Sequence, residues 1–127
     1  MDVYRINKEP YHTDPLSVEG SYRHGGRWNP KGIGILYTCR SPELALLETL
    51  VHLPPIAMFE LPQLWLSTIR LPDTDNKTIF WLEGAKLPAY WHSGIHSETQ
   101  VILAEWLNNP FCLAIAVPSV IVEEAYN

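Results

Sequence analysis

Residues 25–32 read Gly25-Gly26-Arg27-Trp28-Asn29-Pro30-Lys31-Gly32, and this stretch determines how the rest of the chain is interpreted. Two adjacent glycines allow a backbone to approach a ligand closely, because neither carries a Cβ atom. Arg27 adds a planar set of donors that can bind a phosphate or carboxylate through two hydrogen bonds. Asn29–Gly32 predicts a turn, with proline second and glycine fourth. The stretch therefore predicts an anion-binding turn; the alternative is a structural turn with a surface Arg27 stacked on Trp28.

The positive charge of the chain is concentrated around this turn. The first forty residues contain six basic and four acidic side chains, whereas the remainder contains three and ten. Between Gly20 and Arg40 there are four basic residues and no acidic one, although the whole chain has a net charge of −5. This distribution suggests a small phosphorylated ligand. It argues against a nucleic-acid backbone, which would require a broad basic surface.

Length and composition predict one ordinary globular domain. The chain has 127 residues, of which 46% are hydrophobic and 18% charged, as in folded rather than disordered proteins. No apolar run approaches the ~18–20 residues of a membrane span, and the N-terminus lacks a signal-peptide pattern. Cys39 and Cys112 lie in apolar, strand-like runs, so we expect buried thiols without a disulfide, and no Cys/His spacing indicates zinc. These features predict a cytoplasmic setting.

The pattern of apolar residues and turn signals predicts an α+β fold. We expect residues 7–32 to be largely loop and a short helix to lie near Trp81. The other predicted elements are strands over Val3–Ile6, Ile33–Thr38, Leu64–Leu71 and Phe111–Val117, a helix over Pro42–Leu53, and a helix capped by Ser97 that runs to about Leu107.

The helix that begins at Pro42 has the strongest signals. Ser41 is a suitable N-cap, proline is favoured at the first helical position, and Pro54-Pro55 ends the helix after Leu53. Apolar residues cover more than half of its circumference, so we expect it to be mostly buried. Glu48 and His52 lie four residues apart and share its polar stripe.

Four side chains are candidates for chemistry: Arg27 in the turn, Tyr37 in a predicted strand, Glu48 on the helix and Ser119 at a strand end. Each has a structural alternative. A strand tyrosine is usually a core residue, a helix glutamate is usually a solvated edge, and a serine after proline usually belongs to a turn. His52 either tunes Glu48 or only ends the helix near the negative end of the dipole. From the residues alone, the sequence predicts an anion-binding turn and a candidate carboxylate.

The order and spacing of these residues resemble the RES domain family, the toxins of RES–Xre toxin–antitoxin pairs. The likeness covers essentially the whole chain, and its most specific block runs from the glycine turn to the predicted helix. The matching segments are Tyr4-Arg5, Asp14-Pro15-Leu16, residues 25–32, Leu36-Tyr37-Thr38, residues 41–48, His52-Leu53, Thr99-Gln100, Trp106-Leu107, and Val117-Pro118-Ser119 through Glu124 and Asn127. Members often continue past the asparagine at the position of Asn127, so a C-terminal tail of the family is expected to be missing here.

The resemblance implies one RES domain over residues 1–127, with a fold similar to that of ADP-ribosyltransferases: mixed sheets with flanking helices. It implies NAD⁺ as the substrate and no metal. The implied catalytic residues are Arg27, Tyr37, Glu48 and Ser119, and the implied NAD⁺-binding residues are Arg5, Gly26, Arg27, Trp28 and Tyr37.

The chemistry of NAD⁺ cleavage suits these implied roles. Breaking the bond between nicotinamide and ribose builds an oxocarbenium-like centre, which a preorganised Glu48 carboxylate would stabilise. Arg27 would bind the pyrophosphate or its adjoining oxygens. Tyr37 would stack on nicotinamide or bind the ribose, and Ser119 would position a polar edge of the substrate.

The leading hypothesis is an NAD⁺-consuming toxin that acts as a glycohydrolase or phosphorylase. The alternatives are a mono-ADP-ribosyltransferase that modifies a cellular protein, and a non-enzymatic module whose basic turn binds an acidic partner. The choice between water, phosphate and a protein nucleophile as acceptor stays open. The resemblance also implies a cytosolic Xre-type antitoxin that blocks the NAD⁺ pocket, so that nucleic acid is contacted only through it, and no membrane partner.

Overall fold

The strands and helices of the chain form an α+β fold, seen in a computed structural model that describes residues 1–72, 78–94 and 96–127. The strands are β1 (Asp2–Lys8), β2 (Leu64–Arg70), β3 (Ile79–Trp81) and β4 (Ala114–Ala116). The α-helices are α1 (Glu19–His24), α2 (Pro42–Val51) and α3 (Ser97–Asn108), and single 3₁₀ turns lie at Tyr11–Thr13, Met58–Glu60 and Gly84–Lys86. In the described ranges, no helix is long and apolar enough to cross a bilayer.

The strands pair in two small sheets among the described residues. β1 and β2 are antiparallel, with Asp2 opposite Arg70 and Lys8 opposite Leu64, and an ion pair joins Asp2 to Arg70 at 2.8 Å. β3 and β4 are parallel, with Ile79 opposite Ala114. The predicted strands over Val3–Ile6 and Leu64–Leu71 are thus confirmed, and β4 occupies the centre of the predicted strand Phe111–Val117.

Helix α2 begins as predicted and ends earlier. The Ser41 hydroxyl accepts a hydrogen bond from the backbone N–H of Leu44 at 3.1 Å, which caps the helix. The last helical residue is Val51, and His52 is the C-cap, so the helix stops two residues before the predicted end at Leu53. His52 is therefore a helix-end residue, one of its two predicted roles.

The prediction that α2 is mostly buried is wrong. Leu44 and Ala45 are buried, but four apolar side chains of the helix are exposed: Leu46, Leu47, Leu50 and Val51. The buried face packs with Cys39 against Tyr4 and Ile6 of β1 and against residues 122 and 125 near the C-terminus. Only Leu44 and Ala45 of the helix are buried, so an apolar composition over most of its circumference did not lead to burial all round.

The predicted strand Ile33–Thr38 is not a strand. The next residue, Cys39, forms an isolated antiparallel bridge with Tyr4. The backbone of the segment is instead held by side chains. Ser21 Oγ donates to the Ile35 carbonyl at 2.6 Å and accepts from the Ile35 N–H at 2.9 Å. These contacts replace the hydrogen bonds that a neighbouring strand would supply.

Three further predictions differ from the structure. Trp81 itself ends strand β3, because residues 79–81 pair with β4, and the short helix predicted near it is the 3₁₀ turn Gly84–Lys86. Helix α1 occupies part of the predicted loop 7–32. Ser97 begins α3, whose predicted extent is nearly right, but His96 is at the N-cap position and no side chain caps this helix.

Two clusters of apolar side chains form the core. Trp28, Leu82, Leu103 and Val117 form one, which joins the glycine turn to α3 and the C-terminal segment. Cys39, Leu44 and Ala45 form the other, beneath α2. Both cysteines are free thiols, as predicted, although Cys39 is buried and Cys112 only half-buried.

Candidate functional site

The glycine turn is a tightly bonded loop that follows α1. Gly25 ends the helix with φ +67°, a left-handed conformation that favours glycine. The Asn29 side chain is fully buried, and its Nδ2 donates to the carbonyls of Ser21 at 3.0 Å and Ile33 at 2.6 Å. Gly26 N–H donates to the Asn29 carbonyl at 2.9 Å. The loop is therefore rigid, as a preformed binding site requires.

Tyr37 closes onto this loop through its hydroxyl. The hydroxyl donates to Asn29 Oδ1 at 2.7 Å and accepts from the Trp28 N–H at 3.1 Å. A Cβ atom on Gly26 would lie 2.6 Å from the Tyr37 hydroxyl oxygen, so the loop needs glycine at this position. Burial raises the pKa of Tyr37. Hydrogen bonds with the backbone of Trp28 and Asn29 and the positive charge of Arg27 lower it by less. Tyr37 therefore stays a neutral phenol at neutral pH.

Arg27 is anchored at one end of its guanidinium. Nη1 donates to the carbonyls of Trp91 and Ser93, each at 2.8 Å. Among the described residues, Nε and Nη2 have no hydrogen-bond partner, so these donors are available to an anion. Burial lowers the pKa of Arg27, and electrostatic interactions with the Tyr37 hydroxyl and the Glu48 carboxylate oppose this shift.

Helix α3 holds the turn from the other side. Thr99 is fully buried, and its hydroxyl donates to the Arg27 carbonyl at 2.5 Å. Gln100 Nε2 donates to the carbonyls of Gly26 at 2.8 Å and Asn29 at 3.2 Å. Burial, followed by the charge of Arg27, lowers the pKa of His96. The first turn of α3 thus fixes the backbone of the turn and sets a histidine near Arg27.

The Glu48 carboxylate is held by two donors from the C-terminal segment. Ser119 Oγ donates to Glu48 Oε1 at 3.1 Å, and Asn127 Nδ2 donates to the same oxygen at 2.5 Å. Ser119 is buried, and its Oγ accepts hydrogen bonds from the Ile121 and Val122 N–H groups at 3.1 and 3.2 Å. Those contacts orient the Ser119 hydroxyl toward the carboxylate.

Glu48 also influences a buried thiol beside it. Burial, and then the negative charge of Glu48, raises the pKa of Cys39 to about 12. The thiol therefore stays protonated at neutral pH and is not an activated nucleophile.

The structure brings Arg27, Tyr37, Glu48 and Ser119 into one region. Arg27 is within electrostatic reach of both Tyr37 and Glu48, and Ser119 contacts Glu48 directly. The region offers partly uncommitted guanidinium donors, a neutral phenol and a fixed carboxylate. Such a set can bind an anion and stabilise a nearby positive charge. In the described part of the chain, no group of three or more His, Cys, Asp or Glu side chains is placed to hold a metal ion.

A cavity of about 300 Å³ lies beside this set. Trp28, Tyr37 and Asn127 line it, with apolar walls that include Ile35 and Val117. Arg27, Glu48 and Ser119 are not among its lining residues, although Asn127 contacts Glu48. Trp28 is a core residue with 4% exposure, so it forms the wall and does not stack under Arg27.

Arg5 does not line the cavity beside Tyr37. Its Nη1 donates to the carbonyls of Pro15 and Ser17, each at 2.8 Å, and it lines a different cavity of about 690 Å³. Val3, two residues earlier on β1, lines the Tyr37 cavity. Alternate residues share a face of a strand, so Arg5 lies on the same face of β1 as Val3, about 7 Å further along the strand.

Sequence reasoning assigned no role to several residues of this site. Asn29, Thr99 and Asn127 each bind the backbone or side chain of a candidate residue. Thr99 and Asn127 entered only as parts of the family pattern. A signal existed for Asn29, since asparagine before proline bonds its own turn, but nothing local marks a contact with a distant helix.

Comparison with known proteins gives consistent matches. A family model described as RES domain matches residues 2–127. A protein named Toxin Res from Yersinia enterocolitica is 33% identical over 131 residues, covering 100% of this chain and 81% of that protein. A protein named Prs ADP-ribosylating toxin from a Sphingobium species is 34% identical over 119 residues, covering 92% and 72%. A Toxin Res from Photorhabdus laumondii is 32% identical over 123 residues, covering 96% and 76%.

Proposed function

The chain belongs to the RES domain family, and on that premise we propose that it is a toxin that consumes NAD⁺ by cleaving the bond between nicotinamide and ribose. The observation that carries this proposal is the Glu48 carboxylate, fixed by Ser119 and Asn127 within electrostatic reach of Arg27. The toxin names of its relatives and the ADP-ribosylating relative support an enzyme that uses NAD⁺.

The carboxylate would act on the transition state. As nicotinamide leaves, positive charge builds on C1″ and the ring oxygen of the ribose that carried it, as in glycoside cleavage. An ionised Glu48 near that centre stabilises this charge, and little reorganisation is needed because its hydrogen bonds already exist. Nicotinamide leaves as a neutral molecule, so a strong general acid is not required. Water or phosphate then bonds to C1″ and loses a proton to solvent.

Arg27 and Tyr37 would position the dinucleotide. The Nε and Nη2 donors of Arg27 suit a pyrophosphate oxygen pair. The Tyr37 ring borders the cavity while its hydroxyl is engaged with Asn29, which leaves the ring face for stacking on nicotinamide. In this proposal Ser119 positions Glu48 instead of contacting the substrate, since its hydroxyl donates to the carboxylate.

The test is product analysis of purified protein incubated with NAD⁺. We expect free nicotinamide, with ADP-ribose in phosphate-free buffer if water is the acceptor, or ADP-ribose 1″-phosphate only after phosphate is added. Release of no nicotinamide under either condition would contradict the proposal.

Replacing Glu48 tests the carboxylate itself. We expect Glu48→Gln to reduce turnover at least ~10²-fold, the usual loss for one preorganised electrostatic group, because the amide carries no charge. Glu43→Gln is the matched control, since Glu43 is an exposed acid in the first turn of the same helix, and it should keep near-normal turnover. A Glu48→Gln protein with full activity would exclude this mechanism.

Transfer of ADP-ribose to a protein is the second candidate, and the name of the Sphingobium relative favours it. The same carboxylate would stabilise the same ribosyl cation, with a protein side chain in place of water. Mass spectrometry of cellular proteins distinguishes the two. A mass increase of one ADP-ribose on a discrete protein indicates transfer, whereas bulk loss of NAD⁺ without it indicates hydrolysis or phosphorolysis.

Three features complete the proposal: a fold of the ADP-ribosyltransferase kind, a cytoplasmic location, and inhibition by a cognate Xre-type antitoxin. The toxin names of the relatives support such a pairing. An antitoxin that covers the cavity beside Tyr37 would block NAD⁺ entry. Co-expression should then restore growth and abolish nicotinamide release by the purified complex.

A further inference from the structure

The fully buried Asn29 side chain links the glycine turn to Tyr37. Its Nδ2 donates to the carbonyls of Ser21 at 3.0 Å and Ile33 at 2.6 Å, with a longer contact to the Pro30 carbonyl at 3.3 Å. Because a carbonyl only accepts hydrogen bonds, the end of the amide that faces these groups is Nδ2. The other end, Oδ1, therefore faces the Tyr37 hydroxyl, at 2.7 Å.

This orientation of the amide determines where the proton of the Tyr37 hydroxyl lies. Oδ1 of Asn29 is an acceptor, so the hydroxyl donates its one proton to it. The Trp28 N–H donates to the same hydroxyl oxygen at 3.1 Å and occupies one of its two lone pairs. The hydroxyl thus has no proton left for a substrate. The part of Tyr37 that remains for a flat ligand is its ring, which borders the cavity of about 300 Å³.

The two hydrogen bonds also hold the Tyr37 ring in place. The residue is 37% exposed, so packing does not enclose the ring on every side. Fixing the hydroxyl at the far end of the ring restricts rotation about both side-chain torsions. A ring that is already held in place loses less conformational freedom when a ligand stacks on it.

We propose that Asn29 is a positioning residue that acts through Tyr37: it holds the phenol ring as a preformed stacking surface for nicotinamide and keeps the hydroxyl proton from the substrate. This inference rests on the proposed function, since it names how the same site binds its substrate. The contact between Asn29 and Tyr37 then contributes to substrate binding and takes no part in proton transfer. Stacking acts on the ground state and the transition state alike, so loss of the contact raises KM and leaves kcat nearly unchanged.

A purely structural role of Asn29 predicts a different result. Its bonds to Ser21 and Ile33 stabilise the turn whether or not Tyr37 is engaged. Loss of stability alone therefore does not identify a positioning residue. The kinetic constants of the folded protein and the coupling between two substitutions do, because a role exerted through Tyr37 disappears once the hydroxyl is removed.

Tyr37→Phe is the first variant, because it removes the hydroxyl and keeps both the ring and Asn29. We expect KM for NAD⁺ to rise about 3–10-fold, the effect of losing one hydrogen bond between uncharged groups, with kcat within about 3-fold of the wild type. Tyr22→Phe is the matched control, since Tyr22 is an exposed tyrosine of α1, and it should keep the wild-type KM. An unchanged KM in Tyr37→Phe, or a fall in kcat of about 10²-fold as for a lost proton donor, would overturn the inference.

Asn29→Ala and the double variant with Tyr37→Phe complete a double-mutant cycle. We expect Asn29→Ala to raise KM at least as much as Tyr37→Phe does. Adding Tyr37→Phe to it should then change KM by less than about 2-fold, because the hydrogen bond is already absent. Effects that multiply would show that Asn29 does not act through Tyr37. If Asn29→Ala does not fold, the KM of Tyr37→Phe decides the inference.

Binding of free nicotinamide separates this inference from the proposed function. Quenching of tryptophan fluorescence reports this binding, since Trp28 is in the cavity wall. We expect Tyr37→Phe to bind nicotinamide about 3–10-fold more weakly than the wild type. If the wild type consumes NAD⁺ but the variant has an unchanged KM and nicotinamide affinity, the inference is wrong and the function stands. If the wild type consumes no NAD⁺, the function is wrong; weaker nicotinamide binding by the variant would still support the stacking surface, and equal or absent binding would exclude it.

Discussion

Gly26 and Tyr37 fit each other at atomic distance. Because a Cβ on Gly26 would lie 2.6 Å from the Tyr37 hydroxyl oxygen and 3.1 Å from Asn29 Oδ1, even one methyl group must push the phenol out of its hydrogen bonds. Gly26 thus supports the site by leaving room for the Tyr37 side chain. The sequence predicted a different role for it, the close approach of a ligand.

Gly26→Ala tests this close fit. We expect a loss of about 1–3 kcal/mol of unfolding free energy from overpacking and a marked fall in nicotinamide release, measured by urea unfolding and product assay. Gly20→Ala is the control, since a Cβ there meets nothing within 4 Å, and alanine in helix α1 should raise stability by about 0.5–1 kcal/mol. Equal stability and activity of the two variants would contradict the argument.

The buried thiol of Cys39 makes the free energy of unfolding depend on pH in the alkaline range. Burial, and then Glu48, raises its pKa to about 12, above the ~8.5 of an unfolded cysteine. The folded state therefore holds the proton more tightly. Its contribution is complete below about pH 8.5 and is lost as pH rises toward 12.

Cys39→Ser removes this titration. Between pH 9 and 10.5, the wild-type unfolding free energy should decline more steeply than that of the variant, by up to about 1.4 kcal/mol per pH unit. Urea unfolding at several pH values measures both slopes. A buried serine lowers stability at every pH, so only the slopes are compared; parallel slopes would show that Cys39 does not titrate as argued.

Glu48 is a residue of helix α2, so the position of its carboxylate depends on how this helix begins and packs. The helix is anchored by the Ser41 cap and by the packing of Leu44 and Ala45 beneath it. Its outer face, with Leu46 and Leu50, is exposed. The element is therefore stabilised by its cap and one face, although its composition suggested burial on nearly every side.

Ser41→Ala tests the cap. We expect a loss of about 1 kcal/mol, the usual cost of removing a capping oxygen, and a smaller fall in turnover as the helix start loosens. Ser97→Ala is the matched control, because Ser97 begins α3 without a side-chain capping bond, and it should change stability by less than about 0.5 kcal/mol. Thermal or urea unfolding compares them; equal losses would argue against the cap.

The site joins segments that are far apart in the chain. The Ser119 and Asn127 contacts with Glu48 span 71 and 79 residues, and the Thr99 contact with the Arg27 carbonyl spans 72. The core cluster of Trp28, Leu103 and Val117 packs the same segments together. We therefore expect the stability of the chain and its proposed activity to be coupled through this region.

Thr99→Val tests that coupling while keeping the side-chain shape. Removing the hydroxyl leaves the buried Arg27 carbonyl without its donor, so we expect a loss of about 1–3 kcal/mol and a higher KM for NAD⁺ as Arg27 shifts. Thr13→Val is the control, since Thr13 is exposed and its hydroxyl bonds only the nearby Pro10 carbonyl at 3.3 Å. Unfolding and steady-state kinetics measure both; an unchanged KM in Thr99→Val would separate α3 from substrate binding.

Features that depend on near neighbours in the chain could be predicted from the sequence. The strands β1 and β2, the start of α2 at its serine cap and the approximate extent of α3 follow from patterns a few residues long, and the family pattern pointed to Arg27, Tyr37, Glu48 and Ser119. These signals suffice because a cap, a turn or an alternation is completed within its own segment.

The remaining features depend on how distant segments pack together. Residues 33–38 look like a strand but are held by side chains such as Ser21, and α2 looks buried but packs on one face. The contact of Asn127 with Glu48 cannot be inferred from its neighbours in the sequence. In each case the deciding partner is distant in sequence, and which groups meet depends on how whole elements pack. A local sequence pattern predicts which hydrogen bonds a residue is able to form, whereas packing determines which partner it contacts.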